Sequence, residues 1–255
     1  MILFHYDNTF DGLLSCVFFA YEQKRFPDQI LAESDPKPLF VDEQYYITTE
    51  KEKSQRVWHA LEKKLSKIAQ NMMLSVWLSE LPEIEMLLFR YSCKIIDHSG
   101  RYEMNFGDPD VLRLKHIAMK VRGEAERIRM FVRFQETADG IYFAPVAPQY
   151  NTLSLVVPHF KTRYANQQWI IYDTNRNFGL FYDTHTVQEI SFSPKDFAEL
   201  KLGKLSDEKL SEEEAHFQRL WKEYFQSVTI KERINLKLQR QLMPKKYWKY
   251  LTEMQ

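Results

Sequence analysis

The start of the chain combines a buried-strand pattern with a helical one. The opening run MILFHY is apolar enough to predict a short buried strand. Asp7, Asn8 and Thr9 follow as capping residues, and apolar residues then recur every three or four positions from Phe10 to Tyr21, which predicts a helix. The chain is therefore predicted to begin with a strand, a turn and a helix.

A second strand and a long helical stretch are predicted after a loop that contains three prolines. Residues 44–48 have the composition of a strand. Thr49 and Glu52 form the pattern of a capping box, which predicts a helix that continues to the break at Pro82. Helical spacing then resumes over residues 83–96.

The pattern changes from helical to alternating near residue 128. Pro109 starts a helix that is predicted to run to about Arg127. The segments IRMFVRFQE and IYFAPV then predict a β-hairpin, and a helix with apolar residues from Leu153 to Tyr164 follows. WIIYDT and FGLFYD predict a second hairpin, and TVQEISF predicts a further strand.

A last helix is predicted to begin at Ser211, which forms a capping-box pattern with Glu214. Its apolar residues have helical spacing, so we expect them to face the core. They are Phe217, Leu220, Trp221, Tyr224 and Val228.

These elements predict an α+β fold. A small, mostly antiparallel sheet of two hairpins plus a further strand packs with several helices, and an N-terminal strand-helix segment precedes it. We expect two regions. Residues 1–82 form an N-terminal strand-helix and helical region, and residues 83–255 form an α+β domain with a basic C-terminal segment.

The composition is that of a globular protein in a reducing compartment. Hydrophobic residues make up 44% and charged residues 27% of the chain, which argues against a disordered or fibrous protein. Cys16 and Cys93 each lie in an apolar run, so we expect two buried thiols. The apolar run at residues 13–21 follows Asp7 and Asp11 and fits neither a signal peptide nor a membrane span, so we expect a cytoplasmic protein.

Basic and acidic residues are equal in number, 35 of each, but they are segregated along the chain. Residues 229–250 contain seven basic residues and one acidic residue. Residues 113–133 contain seven basic residues and two acidic residues. Residues 206–214 contain five acidic residues and one lysine. Because salt makes phosphate attraction local, two basic segments on a neutral protein can still form one polyanion-binding face.

Signatures of common cofactor chemistry are missing from the sequence. It contains no CxxC pair for zinc or an iron–sulfur centre and no CxxxCxxC for a radical-SAM cluster. It also contains no GxxxxGK[ST], no GxGxxG and no GxSxG. The sequence therefore predicts neither a cofactor nor a metal ion held by this chain.

Three long runs resemble one bacterial family of DNA-metabolism proteins of uncharacterised activity. They are YDNTFDGLLSCVFFAYE near the start, RFQETADGIYFAPVAPQYNTLSLVVPHFKTRYANQQWIIYDTNRNFGLFYD in the middle and LWKEYFQSVTIKERINLKLQRQLMPKKYWKYLTE at the end. The runs span nearly the whole chain in the expected order. Asn8 stands where the family more often has glycine, and Leu236 where it more often has proline, so only local turn geometry departs from the family.

The resemblance implies a role with DNA because of the proteins that are encoded beside the family or fused to its members. Members are typically encoded beside a radical-SAM protein with DNA-repair-like features, and some look fused to a uracil-DNA-glycosylase-like domain. The family has no established catalytic residues, so the resemblance assigns none. It implies DNA and a radical-SAM protein as partners.

The C-terminal segment is the strongest candidate for nucleic-acid binding because it interleaves cations with aromatic residues. Cations hold phosphates, and exposed rings stack on bases. The alternative is that Tyr247, Trp248 and Leu251 pack a terminal helix onto the core while the lysines are solvated. The candidate residues are Arg233, Asn235, Lys237, Arg240, Lys245, Lys246, Tyr247 and Trp248.

A second candidate joins the two hairpins to the helix between them. If these elements pack together, arginines would hold phosphate and Asp173 or His159 would handle a proton. The alternative is an ion pair between Arg163 and Asp173 that orders the sheet edge. The basic residues of this candidate are Arg129, Arg133, Arg163 and Arg176.

A third candidate is the N-terminal turn with His5, Asp7 and Asp11. Paired carboxylates at a strand end suit a Mg²⁺-dependent nuclease or a water-activating glycosylase. Helix capping and stabilisation of the helix dipole explain Asp7 and Asp11 at least as well. His116 has no HxxxH or HExxH spacing around it and predicts no ligand.

The sequence leaves three functions open. The favoured one is a DNA-metabolism or DNA-repair accessory protein that binds nucleic acid and acts with a radical-SAM partner. The second is a hydrolytic DNA-repair enzyme, glycosylase- or nuclease-like, that uses Asp173, Asp7 or Asp11 to activate water. The third is a protein-interaction module whose aromatic surface docks the partner enzyme.

Overall fold

The computed structural model describes residues 1–36, 38–98, 102–192 and 210–254. The chain divides into two compact units, Met1–Arg122 and Gly123–Gln255. Helices and two separate sheets confirm the predicted α+β class. The predicted division after residue 82 stays a prediction.

The first unit contains a parallel three-stranded sheet in the order β2-β1-β3. Its strands are β1 (Ile2–Tyr6), β2 (Gln29–Ala32) and β3 (Glu43–Tyr46). The helices of the first half of the chain are α1 (Phe10–Gln23), α2 (Lys51–Glu62), α3 (Lys67–Trp77), α4 (Ile84–Asp97) and α5 (Pro109–Phe131).

Helix α1 begins where the sequence predicts it. The Thr9 side chain accepts a hydrogen bond from the Gly12 backbone N–H, which caps the helix. Leu13, Leu14 and Val17 are buried along the predicted apolar stripe. The predicted strand-turn-helix start is therefore confirmed.

Two details of the first unit differ from the sequence prediction. The proline loop contains β2, whose four residues are too few to show a strand pattern. The single helix predicted from Thr49 is two helices, because Ser66 caps a new one by accepting from the Ala69 N–H. The Thr49 hydroxyl donates to Asp7 Oδ2 at 2.7 Å, and Glu50 is the N-cap residue instead.

The second unit contains a five-stranded sheet in the order β4-β5-β6-β7-β8. Its strands are β4 (Gln135–Glu136), β5 (Tyr142–Val146), β6 (Trp169–Asp173), β7 (Phe178–Tyr182) and β8 (Val187–Ile190). Helix α6 (Leu153–Arg163) connects β5 to β6, the one parallel pair in this sheet. The remaining pairs are antiparallel, so the two predicted hairpins and the further strand are confirmed.

The C-terminal part of the chain is helical. It contains α7 (Glu212–Val228) and α8 (Leu236–Leu242), together with 3₁₀ turns at Lys231–Arg233, Lys245–Tyr250 and Thr252–Met254. The Ser211 side chain caps α7 by accepting from the Glu214 N–H, as predicted. The sequence also predicts a turn at residues 98–101, of which residues 99–101 lie outside the described residues, as do Asp207 and Glu208 of the acidic segment.

Helix α5 is longer than its sequence pattern predicts. It continues to Phe131, so Arg129 lies on this helix and not on a hairpin strand. Ala125 and Ile128 are buried three residues apart, and Val132 packs against the same core. Helical burial therefore outweighs the local alternation, and β4 keeps only two residues.

The apolar stripe of α7 is exposed, which is the opposite of the prediction. Its three aromatic residues, Phe217, Trp221 and Tyr224, are between 42% and 58% exposed. Helical spacing identifies an apolar face but not what covers it. Leu220 and Val228 are exposed on the same stripe.

No described helix combines the length and the apolar character that crossing a bilayer requires. Cys16 is buried as predicted, whereas Cys93 is only half-buried.

We expect Gly179→Ala to lower the free energy of unfolding by about 1–3 kcal/mol, the usual cost of overpacking. Gly179 pairs with Tyr172, and a Cβ there would lie 2.5 Å from Tyr172 Cδ2 and 2.9 Å from the Ile171 carbonyl oxygen. Gly123→Ala, in α5, is the control because nothing lies within 4 Å of its Cβ, and it should stabilise by about 0.5–1 kcal/mol. Urea denaturation followed by circular dichroism measures the free energy of unfolding of both variants. Equal effects of the two substitutions would contradict the close packing at Gly179.

Candidate nucleic-acid interface

A buried carboxylate near the C-terminus joins three segments of the second unit. The Glu253 side chain is 4% exposed and lies in the turn Thr252–Met254. Its Oε1 accepts a hydrogen bond from Arg133 Nη2 at 2.8 Å, and its Oε2 accepts one from Trp221 Nε1 at 3.0 Å. Glu253 therefore fixes the arginine that follows α5 and the exposed tryptophan of α7.

The surroundings of Glu253 keep it ionised at neutral pH. Burial acts to raise its pKa, but hydrogen bonds from its own backbone amide and from Trp221, together with the charge and hydrogen bond of Arg133, outweigh burial. The pKa is therefore lowered. A buried carboxylate is costly without partners. Arg133 and Trp221 therefore stabilise the terminal turn, and Glu253 in turn fixes their side chains.

An open groove of about 780 Å³ lies beside this carboxylate. Arg133 and Phe134 form one part of its lining, and the aromatic residues of α7 form another. The rings of Trp221 and Tyr224 are 5.7 Å apart between centroids. We call Phe217, Trp221 and Tyr224 the aromatic stripe.

Helix α8 reaches the same terminal turn. Its Gln239 Nε2 lies 3.8 Å from Met254 Sδ, next to Glu253 in the chain. Asn235 caps the helix by accepting from the Leu238 N–H at 3.0 Å. The cations of α8, Lys237 and Arg240, therefore belong to a helix attached to the turn that holds Trp221.

Five of the predicted binding residues form no ion pair within the described part of the chain. All five are exposed, so their charges are available to a ligand. Two have aromatic neighbours: the Arg163 guanidinium lies 5.7 Å from the Tyr164 ring centre, and the Lys245 ammonium lies 5.9 Å from the Trp248 ring centre. The five residues are Arg163, Arg233, Lys237, Arg240 and Lys245.

Four other predicted binding residues are engaged with acidic residues. Arg133 pairs with Glu253, Arg176 with Asp173, Arg129 with Glu126 and Lys246 with Glu124. Arg129 also donates to the Leu155 carbonyl oxygen at 2.6 Å. These cations therefore stabilise the second unit. Fewer cations remain available to a ligand than the sequence contains.

The C-terminal aromatic residues pack as the alternative interpretation describes. Tyr247 and Leu251 are buried, and Tyr247 contacts Phe131 at 5.4 Å between ring centroids. Trp248 is half-buried and donates its indole N–H to the Met243 carbonyl oxygen at 2.9 Å. The exposed aromatic residues lie on α7 instead, where the sequence predicted core.

Asp173 is fully buried and has several donors. It accepts from the backbone N–H groups of Asn175 and Arg176, at 2.8 and 3.2 Å, and from Arg176 Nη1 at 2.9 Å. Burial raises its pKa even though these donors act to lower it. Its ion pair is with Arg176, so the expected pairing with Arg163 is wrong.

The second candidate site is not assembled around Asp173. Arg163 and His159 are exposed on α6, and no contact in the described residues joins either of them to this carboxylate. Arg176 instead donates to the Pro148 and Gln149 carbonyl oxygens, at 3.2 and 3.0 Å. Asp173 and Arg176 together order the end of β6.

The N-terminal candidates are also held by local structure. Asp7 accepts from the Thr9 N–H, the Thr9 hydroxyl and the Thr49 hydroxyl, and these bonds lower its pKa against the opposing effect of burial. Asp11 is exposed in the first turn of α1. His5 is buried and stacks on Tyr46 at 4.5 Å.

The described residues contain no cluster of three or more His, Cys, Asp or Glu side chains arranged to hold a metal ion. His116 is exposed on α5.

We expect Glu253→Gln to lower the free energy of unfolding at pH 7 by about 1–3 kcal/mol, because Arg133 and Trp221 lose a charged acceptor. The folded-state pKa of Glu253 is lowered, so its stabilisation is complete above the ordinary glutamate pKa and is lost as pH falls through the lowered one. The difference between variant and wild type should therefore shrink in acid. Urea denaturation at several pH values measures it.

Glu223→Gln is the control for this substitution, since Glu223 is exposed on the same helix as Trp221. It should leave stability unchanged at every pH. A Glu253→Gln effect that stays constant down to strong acid would contradict the ionised bridge.

The comparisons with known proteins identify a family whose function is unknown. No curated protein matches the sequence. The structure is similar to that of a pGpG-specific phosphodiesterase, PggH from Vibrio cholerae, at 14% sequence identity and a TM-score of 0.29, over 89% of this chain and 97% of that chain. At this level of similarity no activity is transferred from that enzyme. Residues 82–253 match DUF4130, a domain of unknown function, and the chain therefore belongs to the DUF4130 family.

Proposed function

We propose that this protein binds nucleic acid through its C-terminal surface and serves as an accessory protein in DNA metabolism. The C-terminal surface comprises the aromatic stripe of α7 and the exposed cations Lys231, Arg233, Lys237, Arg240 and Lys245. The observation that supports the proposal is that two cations without ion pairs, Lys237 and Arg240 on α8, and the exposed rings of α7 belong to helices that contact the same terminal turn.

The electrostatic argument rests on which charges folding leaves available. A cation already paired with a carboxylate contributes little to phosphate binding, because its field is compensated locally. The cations of residues 231–240 have one acidic neighbour in the sequence, Glu232, and form no ion pair in the described chain. Each phosphate that they neutralise would release condensed counterions, which favours binding.

DNA is the polyanion that the family resemblance supports. The resembling proteins are encoded beside radical-SAM proteins with DNA-repair-like features, so a radical-SAM protein is the proposed partner. In this proposal the partner supplies the cluster and the radical step. The present chain supplies contacts to nucleic acid.

A second surface favours a protein partner. Beyond the aromatic stripe, six aliphatic side chains are 48% to 64% exposed, although such residues are usually covered. These residues lie close together in the sequence, and exposed apolar residues that form one patch are typical of docking surfaces. We call this set the aliphatic strip: Val228, Ile230, Ile234, Leu236, Leu238 and Leu242.

We expect the triple substitution Arg233→Gln, Lys237→Gln and Arg240→Gln to weaken binding to duplex DNA by about tenfold or more at moderate salt. It should also reduce the slope of log affinity against log salt by about 2 to 3, because about 0.9 counterions are released for each phosphate contact. Fluorescence anisotropy with a labelled duplex, over a series of salt concentrations, measures both quantities.

Lys51→Gln, Lys63→Gln and Lys120→Gln form the matched control, since these exposed lysines also lack ion pairs in the described chain. This control removes the same charge from the first unit and should retain the wild-type slope. Equal losses in the two triple variants would point to net charge alone, and no salt dependence in the wild type would remove the proposal.

We expect Ile234→Ser with Leu238→Ser to reduce capture of the purified radical-SAM partner by about tenfold, as loss of central apolar contacts does at interfaces. Capture is measured in the absence of DNA. Ile68→Ser with Met119→Ser is the control, because both residues are exposed apolar side chains of the first unit. Full capture by the strip variant would exclude docking at the aliphatic strip.

A further inference from the structure

A second cavity lies next to the groove in the second unit. Its volume is about 380 Å³, within the range of about 300–1,000 Å³ that is typical of small-molecule sites. Arg133 and Phe134 line both the groove and this cavity, so the cavity adjoins the C-terminal surface. We call it the aromatic pocket. Its further lining includes Tyr142, Tyr164, Gln167 and Trp169.

The pocket contains an unsatisfied buried donor. Trp169 is fully buried, and its indole N–H has no hydrogen-bond acceptor among the described residues. A buried N–H without a partner is costly and rare, so an acceptor from a ligand or water is expected there. A ligand in the pocket that carries a hydrogen-bond acceptor would satisfy this N–H.

Gln167 adds a second polar group without a described partner. Its side chain is half-buried in the pocket lining, and no side-chain hydrogen bond of this residue is seen in the described chain. An amide offers one acceptor and two donors. The pocket therefore presents the Trp169 N–H together with a donor-acceptor pair.

The walls of the pocket favour a flat ligand. Phe134, Tyr142 and Tyr164 supply aromatic surface, and the Phe134 and Tyr164 rings lie 5.3 Å apart between centroids, near perpendicular to each other at 70°. Aromatic walls bind planar rings by stacking and edge contacts. None of the described lining residues of the pocket is acidic.

A nucleobase meets these requirements better than an aromatic side chain does. Its ring is flat, and its edge carries both acceptors and donors for an N–H group and an amide. Phenylalanine has no polar edge, and tryptophan has no acceptor. Tyrosine and histidine carry fewer polar groups than the edge of a base, which presents several donors and acceptors. Since paired bases are enclosed in the duplex, only an unpaired or extruded base can enter a pocket.

We infer that the aromatic pocket binds one unpaired nucleobase, with the Trp169 N–H and the Gln167 amide meeting its polar edge. This inference rests on the proposed function, because the base would come from a bound nucleic-acid strand. A free nucleotide presents the same chemistry, and the experiment separates the two sources. Arg133 is fixed by Glu253 at the border between pocket and groove, where the strand would pass.

The test compares a single-stranded 15-nucleotide DNA with a strand of the same length in which the central residues are abasic. We expect wild-type protein to bind the intact strand about tenfold more tightly, since one stacked base contributes about that much. In ¹H–¹⁵N spectra the Trp169 indole resonance, assigned with Trp169→Phe, should move downfield with the intact strand only. Deoxynucleoside monophosphates are titrated separately.

Gln167→Leu should abolish most of the preference for the intact strand and leave the affinity for the abasic strand unchanged. Gln168→Leu is the matched control because Gln168 is the exposed neighbour. Both variants keep the buried Trp169, so a folding defect is not expected, and their thermal unfolding midpoints check this.

The outcomes separate the two proposals. If intact and abasic strands bind equally and the Trp169 resonance stays in place, the pocket inference is overturned while binding of the strand still supports the proposed function. If no strand binds at low salt but a monophosphate moves the resonance, the proposed function fails and the pocket binds free nucleotides. If neither strand nor monophosphate moves it, the inference fails.

Discussion

The arrangement of the C-terminal surface depends on one buried carboxylate. Glu253 is almost without solvent contact, and its two oxygens are divided between Arg133 and the Trp221 indole. A buried charge is tolerated only when such partners are present, so the segment after α5, the exposed face of α7 and the end of the chain are constrained together.

Folding divides the cations of the second unit into two groups. Arg129, Arg133, Arg176 and Lys246 compensate acidic residues. Of these acidic residues, Glu124 and Asp173 are buried, and the Glu253 side chain is 4% exposed. Arg233, Lys237, Arg240 and Lys245 of the C-terminal segment are exposed and form no ion pair with a described residue. Charge counted along the sequence therefore overstates the binding surface. Two of these cations, Lys237 and Arg240, belong to α8, which contacts the same terminal turn as the exposed rings of α7. Cations together with exposed rings are the combination that nucleic-acid strands use.

The sequence predicts most of the elements but less of the site. Thr9 and Ser211 cap their helices as predicted, and the second hairpin forms, because capping residues and alternating patterns are local signals. The first hairpin is reduced to the pairing of Gln135–Glu136 with β5. The extension of α5 to Phe131 is missed because burial of Ala125 and Ile128 is a tertiary effect. The exposed face of α7 is missed because periodicity does not report what covers an apolar face.

The candidate residues illustrate the same limit. The sequence interpretation pairs Asp173 with Arg163, whereas the turn after β6 brings Arg176 to the carboxylate. The unsatisfied Trp169 N–H has no sequence signal at all, since a tryptophan at the start of an apolar strand predicts core.

The most direct test of the account is to locate the contact between strand and protein. Photocrosslinking of a single-stranded DNA to the full chain, followed by peptide mapping, identifies the residues at the interface. The account predicts crosslinks within residues 217–242, on α7 and α8, and at the lining of the aromatic pocket. Crosslinks confined to the first unit, with none in these segments, would contradict it.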